Sequence, residues 1–164
     1  MKRYAILSAG LLAVSAAPAL PAASGTPALA GSWTLVAADV LHRDGTRGHD
    51  YGDAPKGLLI IDGQGRYSLQ IYRSDRPHYT SGDRARGTPA EYQANALGIS
   101  THFGTLQVDP GVLVFNIDSA SFPNQDSTQQ KRPYTLDGDE LSYRVPARPN
   151  GDVPVSVWRR LGPP

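Results

Sequence analysis

The stretch that most constrains this chain is Gly57 to Pro77, where two β-rich runs flank Asp62-Gly63-Gln64-Gly65. An Asp-Gly step followed by a second glycine supplies the positive φ angles that a tight hairpin needs. The second run alternates, with Tyr67, Leu69 and Ile71 on one face and Ser68, Gln70 and Tyr72 on the other. A strand with one wet face reads this way. The first run, Leu58-Leu59-Ile60-Ile61, does not alternate, which predicts cover on both of its faces.

More strands are predicted on either side. Gly31 to Val40 reads as the first, with Trp33, Leu35 and Ala37 sharing a face. Asp44-Gly45 and Asp137-Gly138-Asp139 are further hairpin signals, and Asp109-Pro110-Gly111 is a turn. Between them lie strands over Ile99 to Val108, Val112 to Ser121 and Thr128 to Leu136. Leu141, Tyr143 and Val145 alternate with polar residues, and Val153 to Leu161 is the last strand. Within Ile99 to Val108, Ile99 and Phe103 set one phase and Leu106 and Val108 the other, so Gly104 is a candidate bulge. One short helix is predicted near Thr88-Pro89-Ala90-Glu91: Thr88 caps, proline suits the first position and Glu91 completes a capping box. It reads as a lid over a pocket, or as a plug or connector covering apolar wall. The 17 glycines and 14 prolines punctuate short segments, which suits an all-β chain better than a helical one. The pattern predicts about eight to ten strands at meander spacing, as an up-and-down barrel or a sandwich.

The first residues read differently. Lys2 and Arg3 are followed by the uncharged apolar run Ala5 to Ala17, then by the small, proline-rich Pro18 to Gly25. This is the layout of a secretory signal peptide. The expectation is a signal peptide over residues 1–23, a flexible linker over 24–30 and one folded domain over 31–162. The mature protein is then periplasmic or secreted, without a lipid-anchor cysteine, because the chain contains no cysteine. Export without disulfides requires a self-sufficient core, which roughly 135–140 residues permit. The formal net charge is +1 and the cations are scattered, so nothing argues for nucleic acid or for a membrane surface as partner.

The chain resembles a bacterial lipocalin-like domain, a β-barrel of the lipocalin or calycin type. The likeness runs from Gly31 to about Arg160. It rests on Gly31-x-Trp33, on Pro55-Lys56-Gly57-Leu58-Leu59-Ile60-Ile61-Asp62 with Gly65-Arg66-Tyr67-Ser68, and on Arg73-x-Asp75-Arg76-Pro77. It rests also on Gly87-Thr88-Pro89-x-Glu91-Tyr92, Phe103-Gly104-Thr105 and Phe122-Pro123-Asn124. The resemblance implies a closed up-and-down antiparallel barrel and an association with small, often apolar ligands. It also implies that an arginine of the last strand covers Trp33. Arg159 and Arg160 point to opposite faces, so one of them serves, and Arg160 is the choice here. Gly31, Trp33, Arg160, Thr88 and Glu91 are the expected structural residues. The chain departs from the family pattern at His102, where an aromatic is usual, at Asn116, where histidine is usual, and at Gln125 and Asp126.

Candidate chemistry is sparse. His42, His49, His78 and His102 lie far apart without metal-ligand spacing, so no metal and no cofactor is expected. There is no Gly-x-Ser-x-Gly elbow and no phosphate loop. Asp83 and Glu91 could act as an acid–base pair, but Arg84 and Arg86 adjoin Asp83 and favour simple neutralisation. Arg73 continues the phase of Tyr67, Leu69 and Ile71, and Arg132 shares that of Gln130, Tyr134 and Leu136. If the apolar phase is the interior, both arginines point inward. Each must then be paired, with Asp75, Asp83 or Asp118, or must meet a ligand carboxylate. The expected ligand-binding set is Arg73, Arg132, Tyr67, Leu69, Ile71, Phe103, Tyr134 and Tyr143. The expected partner is one small amphipathic or hydrophobic molecule. Two other readings stand beside it: a cofactor-independent isomerase or cyclase using the cavity, and a filled barrel serving as an interaction domain.

Overall fold

A computed structural model describes residues 26–162; the expected signal peptide lies outside the described residues. The strands are β1 (Gly31–Leu41), β2 (Arg47–Gly48), β3 (Lys56–Ile61), β4 (Arg66–Tyr72), β5 (Ile99–Asp109), β6 (Val112–Ala120), β7 (Thr128–Asp137), β8 (Glu140–Arg144) and β9 (Val153–Arg160). All pairings are antiparallel between neighbours, and β1 also pairs β9. The result is a closed eight-stranded up-and-down barrel, with the two-residue β2 folded back on the end of β1. Closure leaves the eight barrel strands without a free edge, which is how such sheets avoid edge-to-edge association.

The turns sort to one end. At Asp62–Gly65, Gly65 has φ +81°, and the Asp62 carboxylate accepts from the backbone N–H groups of Gln64 (2.9 Å) and Arg66 (2.8 Å). Gly111 and Gly138 supply positive φ to the β5–β6 and β7–β8 turns at the same end. The long connections, 42–55, 73–98, 121–127 and 145–152, all gather at the other. That end is the mouth.

Helix α1 (Thr26–Leu29), a single turn within the expected linker, lies at the closed end. Leu29 is buried there, and its carbonyl accepts from Trp33 Nε1 at 3.0 Å. Helix α2 (Pro89–Leu97) has the full capping box of Thr88 and Glu91. Glu91 also accepts from the Thr80 backbone N–H, and with the Thr88 backbone and the Thr80 hydroxyl this holds its carboxyl at about 2. No residue of α2 is buried, so the helix is neither a plug nor a cover for apolar wall; it is a clasp for the long 73–98 connection.

Two bulges decide which side chains enter the barrel. On β1, Leu35 pairs Trp158 and Ala37 pairs Val157, leaving Val36 as the extra residue. Trp33 and Leu35 face inward before it, Ala38 and Val40 after it, so the expected continuation to Ala37 is corrected. On β6, Asp118 is the extra residue, between the Phe103–Ser119 and Gly104–Ile117 pairs. β5 itself runs through in one phase: His102, Gly104 and Leu106 point in and Phe103 points out, 52% exposed. β3 alternates after all, with Leu59 and Ile61 inside and Ile60 exposed, because among the described residues its outer face is left uncovered.

Gly104 is required by close approach. A Cβ there would run into the Asn116 carbonyl oxygen across the bulge. Gly104→Ala is therefore expected to destabilise the protein by about 1–3 kcal/mol or more, as overpacking does. Urea unfolding checks this, and an unchanged midpoint would show that β5 and β6 can part locally.

Candidate functional site

The closed half of the barrel is packed around Trp33, Leu59, Phe115, Leu141 and Trp158. The mouth half is not. A cavity of about 320 Å³ opens among the long connections, with Leu69, Ile71, Val145 and Val155 as apolar wall. Arg132, His102, Gln130 and Tyr143 are the polar members at its inner end, and Ser100, Ser156, Tyr51 and Gln125 also line it. Tyr67 and Phe115 sit in the core just beneath, which makes the Arg132–His102–Tyr143 layer the floor.

Arg132 is 3% exposed. Its Nε and Nη2 donate to Gln130 Oε1 at 3.2 and 2.8 Å, and Nη2 donates to His102 Nε2 at 3.1 Å. The guanidinium lies over the Phe115 ring at 4.2 Å and the Tyr143 ring at 5.2 Å. Among the described residues no carboxylate forms an ion pair with it. Of the three expected partners, Asp75 pairs with Arg73 and Asp83 with Arg86, while Asp118 is exposed at the bulge. Burial lowers the Arg132 pKa and the nearby Tyr143 and Tyr67 oppose this, yet a guanidinium stays charged at neutral pH.

That charge assigns the histidine tautomer. Arginine can only donate, so His102 Nε2 accepts, and the ring proton sits on Nδ1 and is donated to the Tyr67 hydroxyl oxygen at 2.8 Å. Burial, and then the neighbouring Arg132 charge, pulls the His102 pKa down to about 3, while burial raises that of Tyr67. The unfolded chain therefore binds this proton near pH 6.5 and the folded one only near pH 3. Between those values the unfolded state holds more protons, so stability falls as pH falls, by up to about 1.4 kcal/mol per pH unit from this group. Urea unfolding of wild type and His102→Gln at pH 6.5 and 4.5 checks it. The variant is expected to lose less stability on acidification; equal losses would mean His102 is not held neutral.

The rim is ionic. Arg148 Nη2 bonds Asp50 at 2.6 Å, and Asp39 takes Arg47 at 2.7 Å and His49 at 2.9 Å. Burial raises the Asp39 pKa, but those two hydrogen bonds outweigh it and hold the carboxyl below its ordinary value.

Of the residues expected to bind ligand, Leu69, Ile71, Arg132 and Tyr143 line the cavity together. Tyr67 lies under the floor, and Tyr134 is half-buried, packed against the core and off the cavity wall. Phe103 is outside, as the β5 phase requires. Arg73 is a second correction: β4 ends at Tyr72, so Arg73 leaves the alternation and pairs on the surface with Asp75 at 2.6 Å. Among the expected structural residues, Arg160 lies 4.1 Å over the Trp33 ring. It donates to the carbonyls of Ala30 and Ala28, both at 2.8 Å. Gly31 has φ +134°, and a Cβ there would crowd the same guanidinium. Arg159 points out toward Glu140.

His102 was missed as a site residue. Its signal was its spacing from Leu106, with which it shares a strand face. Gln130 was visible as a phase mate of Arg132. Tyr51, which faces Ser100 at the cavity wall, carries no such signal, because it sits on a loop.

Among the described residues, no group of three or more histidines or acidic residues is placed to hold a metal ion, and no helix is long and apolar enough to cross a membrane. Compared with known proteins, residues 30–161 match the family model of the lipocalin-like domain. A solved structure of a lipocalin-like protein from Bacteroides uniformis ATCC 8492 is similar at 15% identity, covering 81% of this chain and 98% of that one, with a TM-score of 0.43. No curated protein matches. The family match spans most of the chain and coincides with the closed antiparallel barrel, so this protein belongs to the lipocalin-like domain family.

Proposed function

We propose that this protein is an exported barrel that holds one small, largely apolar molecule in its mouth-side cavity, with an anionic group of that molecule against Arg132. The observation that carries the reading is a buried guanidinium on a cavity floor without a carboxylate partner among the described residues. Gln130 and His102 satisfy its hydrogen bonds but bring no charge. A buried charge left uncompensated is costly, and the two aromatic faces recover only about 0.5–2 kcal/mol. An anionic guest supplies what the fold lacks. The apolar walls suit the rest of such a guest, and about 320 Å³ falls at the small end of ligand cavities.

The same geometry favours holding over turnover. Both His102 nitrogens are engaged, and Asp39 and Asp50 are both in ion pairs, so no free base faces the cavity among the described residues. Calorimetric titration with octanoate and with 1-octanol tests the reading. Octanoate is expected to bind at least about tenfold tighter, from a charge-assisted contact. Equal affinities, or no binding of either, would defeat it. Export is supported by the N-terminal charge-then-apolar layout. N-terminal sequencing of protein recovered outside the cytoplasm is expected to start near residue 24, and a start at Met1 would refute cleavage.

A further inference from the structure

We infer that the guest is a short monocarboxylate of about a dozen non-hydrogen atoms that enters carboxylate first, its two oxygens taken by Arg132 Nη1 and the Tyr143 hydroxyl. This rests on the cavity-binding reading above and narrows it.

The seat follows from counting donors. Arginine has five N–H bonds. Those on Nε and Nη2 are spent on Gln130 and His102, and Nη1 makes no hydrogen bond among the described residues. Tyr143 is 1% exposed and lines the same cavity. Its hydroxyl lies against the Arg132 guanidinium, which can only donate, so the hydroxyl's own proton is left without an acceptor among the described residues. A buried hydroxyl is seldom left so. Two unclaimed donor groups side by side, one of them cationic, match the two oxygens of one carboxylate.

The charge count selects a monoanion. Arg132 is the floor's only cation among the described residues, and the rim arginine, Arg148, is already neutralised by Asp50. A second acidic group on the guest would rise toward Asp39 and Asp50 and be repelled there. Depth sets the orientation. The seat is on the floor and the apolar wall of Leu69, Ile71, Val145 and Val155 stands between it and the mouth, so the charged end is innermost. Volume sets the length. A cavity of about 150 Å³ takes one benzene ring, so one of twice that size takes roughly a dozen non-hydrogen atoms. Three belong to the carboxylate, which leaves an apolar remainder of about nine carbons.

The test is calorimetry on the folded protein, wild type and Tyr143→Phe, with butanoate, octanoate, cinnamate, hexadecanoate, octanedioate and 1-octanol. Wild type is expected to bind octanoate and cinnamate at least about tenfold tighter than butanoate, from added apolar burial. Hexadecanoate is expected to bind no tighter than octanoate, and octanedioate at least about tenfold weaker. Tyr143→Phe is expected to weaken octanoate about tenfold, the loss of one charge-assisted hydrogen bond, and to leave 1-octanol and the melting temperature unchanged. Octanoate bound equally by wild type and Tyr143→Phe would overturn the seat. Affinity still rising at hexadecanoate would overturn the short guest, and octanedioate binding as tightly as octanoate would overturn the orientation. Each of those leaves the general binding reading standing, whereas failure of every acid to bind wild type removes both.

Discussion

Arg132→Met is expected to lower octanoate affinity by about 100-fold or more while leaving the unliganded protein within about 1 kcal/mol of wild type in stability. The two effects separate because Arg132 carries a charge that no carboxylate among the described residues balances. Truncating one partner of a buried charge pair typically costs about 2–5 kcal/mol of binding. Among the described residues of the unliganded barrel there is no such pair to break. Replacing a buried ion by an apolar side chain of similar volume is often neutral or even stabilising. Methionine fits the gap between the Phe115 and Tyr143 rings and makes favourable sulfur–aromatic contacts. The acceptors it abandons, Gln130 Oε1 and His102 Nε2, belong to residues that line the cavity, where water can replace the guanidinium. Calorimetry and urea unfolding on the same sample read both halves. Undiminished octanoate binding would remove Arg132 from the site. A stability loss above about 3 kcal/mol would show instead that the guanidinium is a structural pin.

Trp33→Ala is expected to cost about 3–5 kcal/mol, the range for emptying a buried indole site. Trp33 is fully buried where β1 meets both β3 and β9, so its loss opens the seam that closes the barrel. It also releases the hydrogen bond to Leu29 that ties α1 across the closed end, and it strips the aromatic face from under Arg160. Part of the effect is therefore shared with Arg160. A double-mutant cycle with Arg160→Ala is expected to show about 0.5–2 kcal/mol of coupling, the size of a partly desolvated cation–π contact. Strict additivity would mean that Arg160 acts only through its bonds to the Ala28 and Ala30 carbonyls and its ion pair with Asp139. A cost under about 1 kcal/mol would mean the closed end holds without its central side chain.

What the sequence by itself determined here is local. Asp62-Gly63-Gln64-Gly65 specified a hairpin because its hydrogen bonds and its one positive φ belong to residues within four positions of each other. Thr88 and Glu91 specified the start of α2 for the same reason. Family motifs spread over the chain brought closure within reach, and the β1–β9 pairing realises it. The interior was another matter. Strand alternation reveals two faces but does not label them, and one extra residue reverses the labels beyond it. Whether Val36 and Asp118 are extra depends on what lies opposite them on β9 and β5, strands far off in the chain. Hence Ala37 was placed in the barrel, and Phe103 was placed there and His102 left out because the break in phase was assigned to Gly104 on β5 and not to Asp118 on β6. Arg73 failed differently, since β4 ends one residue short of it and a surface carboxylate two residues on takes its charge. Only the tertiary structure brought Arg132, His102 and Tyr143 onto one floor and, among the described residues, left that floor without an acid, because neither proximity nor the absence of a counter-charge is a property of any single segment.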